Sequence, residues 1–130
     1  MMYSLHHIVD RDALEKREQN KVILMSISKI QKEVKVQHVY SVCSAFGEIE
    51  RIKISPISRG TETELLVYVE FDNVDSAHEA KLAVNGAFFY NDCNLVHCEY
   101  ASVNTLVIPE NTDHAHDYTQ VTPRKSKNPG

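Results

Sequence analysis

The stretch Glu64-Leu-Leu-Val-Tyr-Val-Glu-Phe71 most narrows what this chain can fold into. Its alternation puts Leu65, Val67, Val69 and Phe71 on one side of an extended segment and Glu64, Leu66, Tyr68 and Glu70 on the other. Val, Tyr and Phe favour a pleated surface, so the segment reads as a strand. One of its faces must join a core. The other presents Leu66 and Tyr68, with a carboxylate at each end. An aromatic at such a place is either a platform on which nucleic-acid bases stack or an ordinary surface tyrosine.

Around this strand the chain divides by its periodicities. Residues 1–20 read as an N-terminal extension or linker: Asp10 to Gln19 has good helix formers but only Ala13 and Leu14 as apolar anchors. Val22–Ser28 alternates as a strand, with Ile23, Met25 and Ile27 inward and Leu24, Ser26 and Ser28 outward. Val34 to Phe46 changes to helical spacing, with Val39, Val42, Cys43 and Phe46 on one stripe and Gly47 as the stop. Ile49 to Ser55 returns to alternation, with Ile52 and Ile54 inward and Arg51, Lys53 and Ser55 outward. Pro56 to Thr63 reads as a hairpin loop. Asp75 to Val84 is a second helix, with Asp75 the expected N-cap, buried spots at Ala77, Ala80 and Val84, and Asn85-Gly86 its stop. Phe88, Phe89 and Tyr90 form an aromatic knot before a last strand, Leu95 to Tyr100. The order β-α-β-β-α-β predicts an α+β, ferredoxin-like sandwich: a four-stranded antiparallel sheet with both helices on one face.

This order also carries a family resemblance. Met25-Ser-Ile-Ser-Lys-Ile30 is hexamer-like and Glu64 to Phe71 octamer-like, in the strands where the RNA-recognition motif (RRM) has such segments. Val39-Tyr-Ser-Val-Cys43, Gly47-Glu-Ile-Glu-Arg-Ile52, Ala80-Lys81, Asn85-Gly-Ala87, Tyr90, Cys93 and Glu99-Tyr-Ala101 resemble the second RRM of the hnRNP L and polypyrimidine-tract-binding family. Asn104-Thr-Leu-Val-Ile108, Asn111, Asp113 and Asp117-Tyr-Thr119 continue the likeness, which spans about residues 20–119 and implies a fifth strand beside the second. The chain is thus read as an RRM domain over 21–119 with a flexible tail over 120–130. The resemblance implies single-stranded RNA as the ligand, CA- or pyrimidine-rich. It further implies a nuclear pre-mRNA-processing protein of splicing-regulator type, with or without shuttling to the cytoplasm, and several sister domains in a longer chain.

The departures from the family pattern fall on its stacking rings. The octamer's usual basic first residue is Glu64, its third position is Leu66, and the hexamer's second position is Ser26, so Tyr68 stands alone among three expected rings. Each base stacked on a ring is worth about 1–3 kcal/mol, so two lost rings can lower affinity by orders of magnitude. The predicted RNA face is Ser26, Ser28, Lys29, Arg51, Lys53, Leu66, Tyr68, Leu95 and His97. Arg51 and Lys53 can pair with phosphates, and serines can read base edges. Glu64, Glu70 and Glu99 would repel phosphate if they share that face. A protein-interaction module of the same fold, holding a peptide on its helical side near Tyr40, is the alternative. RNA binding should weaken steeply with salt, and a hydrophobic peptide contact should not.

Other chemistries find little footing. Cys43, Cys93 and Cys98 are an odd set at spacings that suit neither a disulfide framework nor a closed zinc site. No paired catalytic carboxylates, Gly-rich phosphate loop or Cys/His arrangement stands at a usable spacing, so no enzyme, metal or cofactor is expected. His6-His7 lacks a nearby third ligand. No apolar run approaches a membrane span. The formal charge of −4 disfavours strong nonspecific binding to a polyanion, although Arg124, Lys125 and Lys127 in the tail can add local pull.

Overall fold

The computed structural model describes residues 19–28, 33–60, 62–90 and 93–119. Its elements run β1 (Val22–Ser28), α1 (Val36–Cys43) with a 3-10 turn (Ser44–Phe46), β2 (Ile49–Arg59), β3 (Glu62–Phe71), α2 (Val74–Val84), β4 (Phe88–Tyr90), β5 (Cys93–Tyr100) and β6 (Ala115–Asp117). The strands form one six-stranded sheet in the order β4-β5-β1-β3-β2-β6, with antiparallel pairing throughout. The predicted sandwich and its extra edge strand beside β2 are both present. The residues of the aromatic knot, Phe88–Tyr90, are themselves a short sixth strand paired to β5.

The core lies where alternation and helical spacing converge. Ile23, Met25 and Ile27 of β1, Ile52 and Ile54 of β2, Val67, Val69 and Phe71 of β3, and Val96 and Cys98 of β5 meet Val36, Val39 and Cys43 of α1 and Ala77, Ala80 and Val84 of α2. A fully buried Val or Ile contributes about 1.5–3 kcal/mol, so this face fixes the register of every strand. Burial pushes the Cys43 and Cys98 thiols up to about 12, which keeps both protonated and inert.

Three local expectations are corrected. The segment Pro56–Thr63 is not a loop: β2 runs on to Arg59, β3 starts at Glu62, and Gly60 turns the chain at φ 67. Pro56 is tolerated there because β6 covers β2 only opposite residues 51–53, leaving the later half of β2 as an edge. The N-cap of α2 is Asn73 rather than Asp75; its Oδ1 accepts from the Ser76 amide at 2.8 Å, and Asp75 sits in the first turn. The first helix is shorter than its apolar stripe, because its last turn tightens to 3-10 form before Gly47. A Cβ on Gly47 would land on the Ser76 side chain, so that glycine lets the end of α1 meet the start of α2.

After β5 the chain crosses to the far side of the sheet. Ala101 bonds through its amide to the Val22 carbonyl at 2.9 Å, and Asn20 Nδ2 donates to the Ala101 and Val103 carbonyls at 3.1 and 2.6 Å. Leu106 then packs with Val22 and Ala101 in a second, smaller core, against which Leu24, Tyr68 and Ile108 rest. This strap, residues 101–108, delivers the chain to β6. There the Ile54 amide donates to His114 O and the Tyr118 amide to Glu50 O, both at 2.8 Å. Two of the groups of β6 that point away from β2 are met from within the chain. The Ala115 carbonyl accepts from the Thr112 amide at 2.6 Å, and the Asp117 amide donates to Asn111 Oδ1 at 2.8 Å. The same region is pinned to α1, where the Val36 amide donates to Asp113 O at 2.8 Å and Tyr118 lies 4.7 Å from the Tyr40 ring. Among the described residues no helix is long and apolar enough to cross a membrane.

Candidate nucleic-acid interface

The sheet face away from the helices is organised as rows across the strands, because residues opposite one another in a ladder point the same way. One row runs His97–Ser26–Leu66–Ser55 over β5, β1, β3 and β2. The next runs Glu99–Leu24–Tyr68–Lys53–Ala115 and reaches β6. A third, Val22–Glu70–Arg51–Asp117, lies toward the strap. Ser28 pairs with Leu95 on the opposite flank. The structure therefore brings Ser26, Ser28, Arg51, Lys53, Leu66, Tyr68, Leu95 and His97 onto one face, while Lys29 lies outside the described residues. His6-His7, the residue 10–18 segment and the basic tail also lie outside them.

Exposure on this face is uneven. Lys53 and His97 are exposed, and Ser26, Ser28, Leu66 and Leu95 are half-buried. Tyr68 is half-buried for another reason: it leans on the small core that Leu106 closes. The ring that resembles a stacking platform is thus flanked by the strap and held in place.

The row beneath the strap is electrostatic. Glu70 has no solvent exposure, and its carboxylate accepts from the Leu106 amide at 2.9 Å, the Thr105 hydroxyl at 3.0 and 3.2 Å, and Arg51 Nη1 at 3.0 Å. Lys21 Nζ stands 3.1 Å away. Arg51 turns its Nε to Asp117 Oδ2 at 3.2 Å, while the Thr119 amide and hydroxyl donate to the other Asp117 oxygen at 2.9 and 2.6 Å. Desolvation pushes Glu70 up, but the Leu106 amide, Lys21, Arg51 and Thr105 together outweigh it and hold the carboxyl below its usual range. Asp117 is lowered in the same way, burial being outweighed by Thr119 and Arg51.

Two expectations change here. Glu70 does share the face, yet it does not stand open to repel a phosphate; the strap covers it and two cations neutralise it. Arg51 is on the predicted face, but its guanidinium is engaged by carboxylates on β3 and β6. Periodicity placed both side chains and could not place their partners, since Lys21, Thr105 and Asp117 come from outside the octamer strand. A signal was available in Val22, an apolar residue on the outward phase of β1, and in the alternating Leu106 and Ile108.

These features define a class. The model of the RNA recognition motif family matches residues 26–95, more than half of the chain, and the chain belongs to that family. It is 30% identical over 130 residues to "Heterogeneous nuclear ribonucleoprotein L" of Homo sapiens and of Mus musculus, an alignment covering 98% of this chain and 21% of each relative. It is 29% identical over 114 residues to "Polypyrimidine tract-binding protein homolog 2" of Arabidopsis thaliana, covering 86% of this chain and 25% of that protein. The chain thus spans about a fifth to a quarter of the length of these relatives. Among solved structures, that of the Rna15 RRM with bound RNA (GU) superposes with a TM-score of 0.52 at 17% identity, covering 67% of this chain and 88% of that one. At that identity the likeness is one of fold.

Proposed function

We propose that this domain, over residues 21–119, binds single-stranded RNA on the sheet face, as one module of a nuclear pre-mRNA-processing protein with several such domains. The observation that carries the reading is the uncovered half of the face, where Ser26, Ser28, Lys53, Leu66, Leu95 and His97 lie together beside the Tyr68 ring. Bases splayed on such a surface can rest on Leu66 and the free side of Tyr68. The serine hydroxyls can reach their edges, and Lys53 can reach the backbone. Membership of the family supports RNA as the ligand class, and similarity to heterogeneous nuclear ribonucleoprotein L supports CA-rich or pyrimidine-rich sequence, a role in splicing and a nuclear site of action. With one ring in place of three, binding by this domain alone is weak, and affinity for a transcript is built from modules acting together.

An NMR titration with CA-repeat and CU-repeat oligonucleotides tests the reading. Shifts should gather at Ser26, Lys53, Leu66 and His97, with a scrambled purine-rich RNA moving them less. Saturating RNA that leaves this face unmoved would end the proposal. A second reading, a peptide held on the helical side, rests on Tyr40, which is 39% exposed, and Leu82, which is 62% exposed. A hydrophobic peptide there would shift the helices and leave the sheet untouched.

A further inference from the structure

Five charged groups converge at the strap end of the sheet. Lys21 Nζ lies 3.1 Å from Glu70 and 3.7 Å from Glu50, and Arg51 lies 3.0 Å from Glu70, 3.2 Å from Asp117 and 3.7 Å from Glu50. Two cations against three carboxylates leave the cluster one charge negative. A phosphate approaching Arg51 meets that net field and must compete with partners already in place. Lys53 differs in each respect. It is exposed, faces Tyr68 and Ala115 across the ladder, and has no carboxylate within ion-pair reach among the described residues. Among the described side chains of the open face it is the one lysine or arginine so placed.

We infer that Arg51 is a positioning residue, holding the strap and β6 against the sheet, and that Lys53, among the described side chains, supplies the phosphate contact on this face. The inference rests on the RNA-binding reading above and sharpens it: recognition by the sheet is driven by bases, with a small ionic component. Arg51 suits the positioning role because a guanidinium can address Glu70 and Asp117 at once in a planar fork, and a lysine cannot. The cluster is a fastening rather than a release device. A carboxylate without solvent exposure, bonded to the strap's own amide and hydroxyl, resists opening.

The test is the salt dependence of RNA affinity, measured with the full chain and a CA-repeat or CU-repeat oligonucleotide between 50 and 200 mM salt. For single strands each phosphate contact contributes a slope of about −0.7, or about a 2.5-fold loss of affinity over that range. Lys53→Gln should make the slope shallower by about 0.7. Arg51→Gln should leave the slope at the wild-type value while shifting the Leu106 and Asp117 amides. Arg51→Lys, which keeps the charge, should shift the same amides, again without altering the slope. The inference is overturned if Arg51→Gln flattens the slope as much as Lys53→Gln does, or if Lys53→Gln leaves it unchanged. Wild-type protein that binds neither RNA at any salt concentration sinks the RNA reading itself and this inference with it, a result distinct from a misplaced contact.

Discussion

At the scale of single residues, Glu70 joins the start of β1 and the strap to the sheet. It bonds Lys21 before β1, Arg51 on β2 and Thr105 with Leu106 on the strap. Removing one member of a buried, hydrogen-bonded charge set leaves the others unmatched, at a cost of about 3–5 kcal/mol. Glu70→Ala should lower stability by about 3 kcal/mol in urea unfolding and move the Val22 and Leu106 resonances together. The sign of the pH dependence follows from the depressed values of Glu70 and Asp117. Their contribution is complete above the unfolded carboxylate range, near about pH 4, and is lost as pH falls through the lower folded values. Urea midpoints measured from pH 6 to pH 3 should therefore fall, and Glu70→Gln with Asp117→Asn should flatten that fall. Raised Lys21 acts at the opposite end, where its share fades only as alkaline pH exceeds its folded value. None of this was legible from alternation, which reports the face on which a side chain lies and not what later covers it.

At the scale of elements, most of the architecture was legible because two periods, 2 and 3.6, alternate cleanly along the chain. Ile23, Met25 and Ile27, Val67 and Val69, and Ala77 and Ala80 are all buried where their spacing put them. Legibility failed where tertiary context overrode local chemistry. Pro56 and Gly60 read as loop residues, yet a proline on an uncovered edge and a glycine at a tight turn allow β2 and β3 to run nearly to their shared tip. Likewise Asn73 lies two residues before Asp75, where the sequence pattern set the start of the second helix, and its bond to the Ser76 amide reveals the cap. The junction of the two helices offers a sharper test. Gly47→Ala drives a methyl group into Ser76, and overpacking of this kind costs about 1–3 kcal/mol. Adding Ser76→Gly removes the clash. Thermal melts should show the double variant recovering part of the loss, because Gly47→Ala is less harmful when Ser76 is absent, and a strictly additive pair would refute the contact as the cause.

At the scale of the whole molecule, the sheet separates two apolar regions of unequal size. The larger lies under the helices, and the smaller consists of Val22, Ala101 and Leu106 beneath the strap. Regions with few buried contacts open at lower free energy than the main core. Leu106→Ala should cost about 2 kcal/mol, speed hydrogen exchange at the Leu106 and Ala101 amides, and leave Met25 and Val67 near their wild-type protection. Uniform acceleration across the sheet would instead mean that strap and core unfold as one. The closed flank of β6 has a further consequence. Copies of a domain threaded along one polymer meet at local concentrations far above that of the surrounding solution. An unfilled strand edge in such a crowd is a seed for ordered stacking that does not come apart. On this flank Thr112 and Asn111 already occupy the seed position on Ala115 and Asp117, and Pro56 withholds a donor further along. A neighbour arriving at β6 therefore finds the Ala115 carbonyl and the Asp117 amide already taken, whereas the later half of β2, interrupted by Pro56, keeps an open edge.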